Sequence, residues 1–335
     1  MTELVRFDGE YGATTAPFAA ILLRSESASS SEIERLTAQP KNIALAELGF
    51  RSGPNARLVV ANTRAMEAAI ALSADLGADA IIAMQKALLV DTHPEYTGQW
   101  RHQQVWIGGG VANSPHSAAF VPPHPDRVPE LMTDLVAFAQ RVDLPVMPQI
   151  ALAHAQFETI HPFPDGNGRT GRALTHAMLH RLGIMRNLTV PVSAGLLQNT
   201  EGYFDALTAY RNGSVEPIIE AFSSAFTSAL VSGRQLVRDL EEFRSWAVGR
   251  TSARGGSAGR RTIDLLLQHP VIDARTAATL LGITAQNAQN GLNRLVVDGI
   301  LAPSGQGRRN RTFESERVLA ALEAFAQRAR RPRPG

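Results

Sequence analysis

The stretch "HPFPDGNGRTGR", His161 to Arg172, constrains the fold of this chain more than any other. A helical pattern, "MPQIALAHAQFETI", runs into it, and a second, "RTGRALTHAMLHRLG", leaves it. Both show apolar positions three and four apart. Pro162 disfavours the α conformation in the residue before it, so the first helix is predicted to end near His161. Gly183 is placed to cap the second. The twelve residues hold one imidazole, one carboxylate, three glycines, an asparagine and two arginines.

The middle of the stretch spells G-x-G-x-x-G. A dinucleotide fingerprint needs a buried strand before the first glycine and an acid about 20 residues later. Here the preceding segment is helical, two prolines intervene, and the next acid after Asp165 is Glu201. A P-loop is excluded because no Gly-Lys-Ser/Thr follows. The local physics still points to an anion. Glycines let successive backbone N–H groups converge, and the following helix aims its positive end at the same point. Arg169 and Arg172 in the first helical turn are a local liability that a bound polyphosphate resolves. Asp165 at the lip suits Mg²⁺ bridging phosphate oxygens. His161 suits proton acceptance near neutrality.

The 335 residues are 44% hydrophobic and only 6% aromatic, with much alanine, which favours helices. There is no cysteine. That excludes disulfides, iron–sulfur clusters and thiolate zinc, and fits a reducing cytoplasm. "MTELVRFDGEYG" has no apolar signal-peptide core. The most apolar segment is interrupted by Asp75 and Asp79, so no membrane span is expected. From Thr251 onward, 13 arginines face 6 acids, a surplus of seven that leaves −5 for the rest of a +2 chain. A basic C-terminal part on an acidic body suggests a separate module facing nucleic acid.

The remaining pattern is mostly helical: residues 16–48, "ARLVVANTRAMEAAIALSADL", "ADAIIAMQKALL", "PELMTDLVAFAQRV", "TEGYFDALTAY" and the long run to "RSWAV". "QQVWIGGG" and "SAAFVPPHPDRVPE" break it. They suggest an irregular β-hairpin with residues 105–107 facing 118–121. "TSARGGSAGR" reads as a linker.

"HPFPDGNGRTGR" resembles the Fic family motif, H-P-F-x-D/E-G-N-G-R-x-x-R, at every defined position. The resemblance implies a mostly α-helical protein that transfers AMP from ATP to a protein hydroxyl. It makes His161 the base and Phe163 a core anchor, and gives Asp165 the Mg²⁺. Gly166, Asn167 and Gly168 become an anion hole. Arg169 and Arg172 become the grip on the distal phosphates, with Thr170 and Gly171 in the same phosphate-binding run. Gly168 argues against the subset of the family that carries lysine there and transfers phosphate. The hairpin resembles the family's flap, so a protein substrate is expected to dock near residues 105–121 by β-augmentation. Tyr203 falls where the family places a tyrosine near adenine, and Arg211 and Asn212 where it contacts ribose or base. "SSSEIER" resembles the family's inhibitory helix, S/T-x-x-x-E-G/N, with Ser30 and Glu34 in register and Arg35 departing from the pattern. Glu34 would then pair with Arg172 and withhold it from the ATP γ-phosphate. In some family members the equivalent glutamate also supports AMP removal.

Residues 261–335 resemble a winged helix-turn-helix. "ARTAATLLG" is its first helix, "ITAQNAQNGLNRLVVDG" its turn and recognition helix, and "ILAPSGQGRRNRTFES" its wing. Leu280, Leu281, Ile283, Leu292, Leu295 and Ile300 are the expected small core. Gln286, Asn287, Gln289, Asn290 and Arg294 are expected to project toward base edges, and Arg308, Arg309 and Arg311 toward phosphates. Winged helices also dock proteins, so DNA, a protein partner and a homodimer all stand as contacts. The expected organisation is a mainly α chain. An N-terminal helical region with the inhibitory motif spans 1–100, and a Fic core with a small β-hairpin flap spans 101–250. A linker at 251–260 and the winged helix at 261–335 follow. The competing function is a DNA-binding regulator whose Fic core senses nucleotide without turnover.

Overall fold

The computed structural model describes residues 1–12, 16–108, 118–304 and 311–331. In chain order the helices are α1 (Thr2–Gly12), α2 (Ala16–Ile33), α3 (Pro40–Glu47), α4 (Pro54–Ala71), α5 (Ala78–Leu89), α6 (Val128–Ala139), α7 (Val146–Ile160), α8 (Asn167–Arg181), α9 (Val192–Leu197), α10 (Thr200–Arg211) and α11 (Glu216–Arg250). They continue with α12 (Ala258–Leu266), α13 (Ala274–Leu281), α14 (Ala285–Val297) and α15 (Glu316–Arg330). Three short strands, β1 (Val271–Asp273), β2 (Ala302–Ser304) and β3 (Thr312–Glu314), form one sheet in the order β1-β3-β2. Local chemistry sets many of the starts. Pro40 and Pro54 stand at first-turn positions, where the missing N–H costs nothing. Asn199, Asp273 and Thr284 cap their helices through side-chain oxygens.

The helix α2 is central. It packs against α4, α8, α9 and α15. It carries five buried serines, Ser25, Ser27, Ser29, Ser30 and Ser31. Small side chains let neighbouring helices come close, and Ser25 and Ser27 satisfy their hydroxyls on the carbonyls of Ile21 and Leu23, 2.9 Å each. A fully buried knot ties the helix in place. Glu26 accepts hydrogen bonds from the Ser193 amide (2.8 Å) and the Ser193 hydroxyl (2.5 Å), and faces His176 Nε2 at 2.9 Å. Asn62 of α4 adds a bond to the Ser27 carbonyl (2.9 Å). One apolar core runs through the chain, from Leu4 to Ala329.

Two expectations need correction. The helix expected over residues 16–48 is two helices. It stops after Ile33, where Arg35 takes φ +61° and the Leu36 amide bonds back to the Ser31 carbonyl (3.0 Å). That is a left-handed helix stop, in the conformation glycine or asparagine usually adopts. The hairpin is as irregular as expected. Among the described residues it amounts to one antiparallel bridge, Ile107 with Phe120. Residues 109–117 of the expected flap lie outside the described residues. Leu280 is not core: it is 47% exposed. Ala277 and Leu281, four apart, take the buried face of α13, and Leu280 falls a residue off it.

The C-terminal order α12-β1-α13-α14-β2-β3 is consistent with a winged helix-turn-helix. β3 pairs with β1 through Ile272–Phe313 and with β2 through Pro303–Phe313. Leu292, Leu295, Phe313 and Ile263 fill its core. Of the expected contact residues, Gln286, Asn287 and Asn290 are exposed on α14, and Gln289 is half-buried. Arg294 is held by Asp298 at 3.5 Å and by the Ser252 hydroxyl. Arg311 lies over the Phe313 ring, and Arg308 and Arg309 lie outside the described residues. The α12 helix begins inside the expected linker, at Ala258.

Candidate active site

The site is the turn between α7 and α8. His161 ends α7 in the left-handed conformation, φ +50°. Phe163 then inserts into the core, fully buried, its ring 5.0 Å from Trp100 and 6.4 Å from Phe157. Burying such a ring is worth about 2–3 kcal/mol, enough to fix the turn on the body. Asn167 closes the turn. Its side chain accepts from the Phe163 amide (2.9 Å) and donates to the Phe163 carbonyl (2.8 Å). The expected anion-hole residue thus uses its side chain as a clamp, which leaves its backbone N–H at the helix end. Gly166 sits at φ +82° as the residue before α8, and the first amides of that helix have no partner within it.

A second clamp comes from Arg101, which sequence reasoning missed. Its Nε donates to the His161 carbonyl (2.8 Å), its amide to the Pro162 carbonyl (2.9 Å) and its Nη1 to the Gln103 carbonyl (3.0 Å). Its Nη2 reaches the Pro123 carbonyl. One buried guanidinium therefore ties the catalytic turn to both limbs of the hairpin. Burial lowers its pKa. An arginine whose partners are all backbone carbonyls leaves no signature in sequence.

Two arginines flank the start of α8. Arg169 is buried, yet its Nε and Nη1 have no hydrogen-bond partner, and Asp165 lies 3.8 Å from its Nη2. Desolvation pushes its pKa down. Unpaired buried guanidinium nitrogens are costly and mark a place prepared for an acceptor. Arg172 is only 1% exposed, and its Nε and Nη2 are both engaged. Its Nε donates to the Ser30 hydroxyl, and its Nη2 to the Ser30 carbonyl and to Glu34 Oε1, 2.8 Å each. Desolvation opposes the charge on Arg172, but Glu34 outweighs it and raises the pKa. Burial likewise works against the Glu34 carboxylate, and Arg172, Arg169 and His161 together hold its pKa below the usual range. The carboxylate also lies over Gly168. A Cβ there would stand 2.1 Å from Glu34 Oε1. An anionic group thus already lies at the mouth of α8, and it belongs to the protein. Arg35, just beyond it, points to solvent.

His161 is neutral near pH 7, because burial, with Arg101 and Arg211 adding to it, pushes its pKa down to about 4. Its Nδ1 is buried without a partner, 3.9 Å from Glu158 Oε2. Burial raises Glu158 to about 7. Asp165 is half-exposed, and its Oδ1 accepts the Gly166 amide at 2.6 Å. One carboxylate plus phosphate oxygens is a donor set Mg²⁺ accepts. Among the described residues no three acids, histidines or cysteines gather into a metal cluster, so phosphate and water would supply the other ligands.

The structure brings together His161, Asp165, Gly166, Asn167, Gly168, Arg169, Arg172, Ser30 and Glu34. Five other expected residues take the following places. Thr170 is fully buried, and Gly171 packs against Phe157, Glu158 and His154 of α7, so both face inward. Tyr203 is buried and its hydroxyl lies 2.7 Å from His154 Nε2. Burial raises the Tyr203 pKa and lowers that of His154 to about 3. Asn212 is exposed at the end of α10. Arg211 stacks 4.0 Å from the centre of the Phe120 ring on the hairpin and reaches the Glu158 carbonyl at 3.5 Å.

The fold and this turn define a helical protein built around a Fic domain. Residues 75–179 match the family model described as Fic/DOC. A probable protein adenylyltransferase of Aquifex aeolicus is 32% identical over 124 residues, covering 35% of this chain and 36% of that protein. A protein adenylyltransferase Fic of Nematostella vectensis is 31% identical over 144 residues, covering 42% and 30%. The chain thus spans about a third of the length of these curated relatives. A crystal structure of a Fic family protein from Desulfovibrio desulfuricans matches 94% of both chains with TM-score 0.56 at 20% identity, which shows the shared fold. No helix among the described residues is long and apolar enough to cross a membrane.

Proposed function

We propose that this protein transfers AMP from ATP to a hydroxyl side chain of a protein substrate, and that Glu34 restrains it. The observation that carries the reading is the buried guanidinium of Arg169, its Nε and Nη1 without a hydrogen-bond partner, beside the open N-terminus of α8, with His161 neutral at the same turn. Phosphates bound there satisfy orphan donors and the helix dipole together. The relatives named protein adenylyltransferases support AMP as the transferred group.

The substrate hydroxyl oxygen attacks the α-phosphorus. The new P–O bond forms as the bond to the β-phosphate oxygen breaks, and pyrophosphate leaves. The hydroxyl proton passes to the imidazole of His161. Its low pKa in the free protein keeps the ring unprotonated, and neighbouring phosphate charge raises it toward the working range. Arg169 and the amides of Asn167 and Gly168 hold the phosphates in line, while the Gly166 amide stays on Asp165. Charge stabilisation and positioning supply most of the acceleration in such a step. Asp165 would hold Mg²⁺, which neutralises phosphate charge when bound. The half-buried bridge of Ile107 and Phe120 marks where a substrate segment would pair with the hairpin. Arg172 is withheld by Glu34, so ATP meets an incomplete site until that carboxylate leaves.

The test is incubation of wild type, Glu34→Gly and His161→Ala with ATP labelled at the α- or γ-phosphate. Label on protein from α-ATP only, increased in Glu34→Gly and absent in His161→Ala, is expected. Label from γ-ATP, or undiminished labelling by His161→Ala, refutes the reading.

A further inference from the structure

Glu34 sits on a short connector, residues 34–39, between α2 and α3. Both ends of that connector are held by the C-terminal module. Before it, Glu32 takes a two-pronged ion pair from Arg330 of α15, Nε to Oε1 at 2.5 Å and Nη2 to Oε2 at 3.1 Å. After it, Lys41 Nζ lies 2.7 Å from Glu314 Oε2 on β3. Ala44 of α3 is buried against Val271 of β1 and Leu319 of α15, with Leu45 and Leu48 around them. In between, α15 stands off the connector. A cavity of about 670 Å³ opens there, with Thr37, Ala38 and Gln39 on one wall and Phe325, Gln327 and Arg330 on another. Within the body, the Asn55 side chain donates to the Thr37 carbonyl at 3.0 Å. Behind this lightly packed turn α2 is fixed by Glu26, while the turn itself spans two points fastened to the winged-helix module.

We propose that the C-terminal module sets the strength of the brake by docking α15 and β3 on either side of the Glu34 connector, so that undocking α15 frees Arg172. The inference rests on the AMP-transfer reading above. The winged helix is then the input of the enzyme: whatever it binds acts on the active site by shifting α15 relative to α2. The geometry favours a local output. Arg330 holds the last turn of α2, and a single residue, Ile33, separates Glu32 from the carboxylate that grips Arg172.

The test uses the full chain as wild type, Arg330→Ala, Arg330→Glu, the swapped pair Glu32→Arg with Arg330→Glu, and Glu34→Gly. Two readouts are taken, amide hydrogen exchange over residues 31–39 and AMP incorporation from α-labelled ATP. The pair is partly exposed, so Arg330→Ala should raise incorporation about 2- to 5-fold, with a larger rise for Arg330→Glu. Exchange should quicken in parallel, and the swapped pair should return both toward wild type, which separates lost docking from misfolding. Unchanged exchange in Arg330→Glu overturns the docking claim. Faster exchange without added incorporation, in a preparation where Glu34→Gly is activated, overturns the coupling and leaves the brake intact. Failure of Glu34→Gly to exceed wild type sinks the brake itself and this inference with it.

Discussion

Replacing Glu34 by alanine should tighten ATP binding roughly 10- to 150-fold and leave AMP binding nearly unchanged. The magnitude follows from the one bond that ATP must displace. Arg172 Nη2 donates to Glu34 Oε1 at 2.8 Å, and Arg172 is almost wholly buried. A hydrogen bond to a charged group is worth about 1.5–3 kcal/mol net, and each 1.4 kcal/mol is a factor of ten. The selectivity follows from position. Glu34 competes for the arginine assigned to the distal phosphates, which AMP lacks. Isothermal titration of a Glu34→Ala, His161→Ala double variant separates binding from turnover. The same variant without nucleotide should lose about 1–3 kcal/mol of stability, because the guanidinium keeps Ser30 but loses its carboxylate. ATP should restore that loss. Equal tightening toward ATP and AMP, or none toward either, would mean that Glu34 does not compete with the distal phosphates.

Other outcomes follow from the same geometry. Arg35→Gly should stabilise the chain by about 1 kcal/mol in urea titration, since it removes a side chain from the left-handed region at the end of α2. Arg101→Ala should cost about 3–5 kcal/mol and loosen the turn, because the carbonyls of His161, Gln103 and Pro123 lose their side-chain donor at once. A drop under 1 kcal/mol would contradict that clamp. The buried histidines make the fold acid-sensitive. His154 and His161 have native pKa values near 3 and 4, so the unfolded chain binds their protons first as pH falls below 6.5, and stability should decline from there toward pH 4. Glu158 acts at the other end. Its native pKa near 7 gives stability below about pH 4.5 that is lost as pH rises through 7, and Glu158→Gln should flatten that alkaline slope in denaturation midpoints.

The turn itself was legible because its chemistry is contiguous. Proline, glycine and charge fall within twelve residues, and helical periodicity on both sides fixed where α7 stops and α8 starts. Glu34 and Ser30 were legible only by resemblance, since nothing in their spacing points across more than a hundred residues to Arg172. Arg35 shows the limit of such a pattern. The departure concerned backbone conformation at a helix stop, and the side chain turned out to face water. Arg101, Glu26 and Arg330 escaped notice for one shared reason. Each is defined by a tertiary partner, a carbonyl or a single opposite charge, and neither leaves a local signature. Leu280 and Tyr203 illustrate the converse: residue type suggests a role, but the face of the helix decides burial.

The knot of Glu26, Ser193 and His176 has a consequence for speed. With three polar anchors deep in the protein, α2 cannot be withdrawn without breaking the interior, so release has to happen at its frayed tip. Torsional rotation of one glutamate and rearrangement of a six-residue turn take nanoseconds to microseconds, far faster than any reorientation of whole domains. Once α15 has moved, the Glu34 carboxylate should therefore clear Arg172 without added lag, and return to it as quickly when α15 docks again.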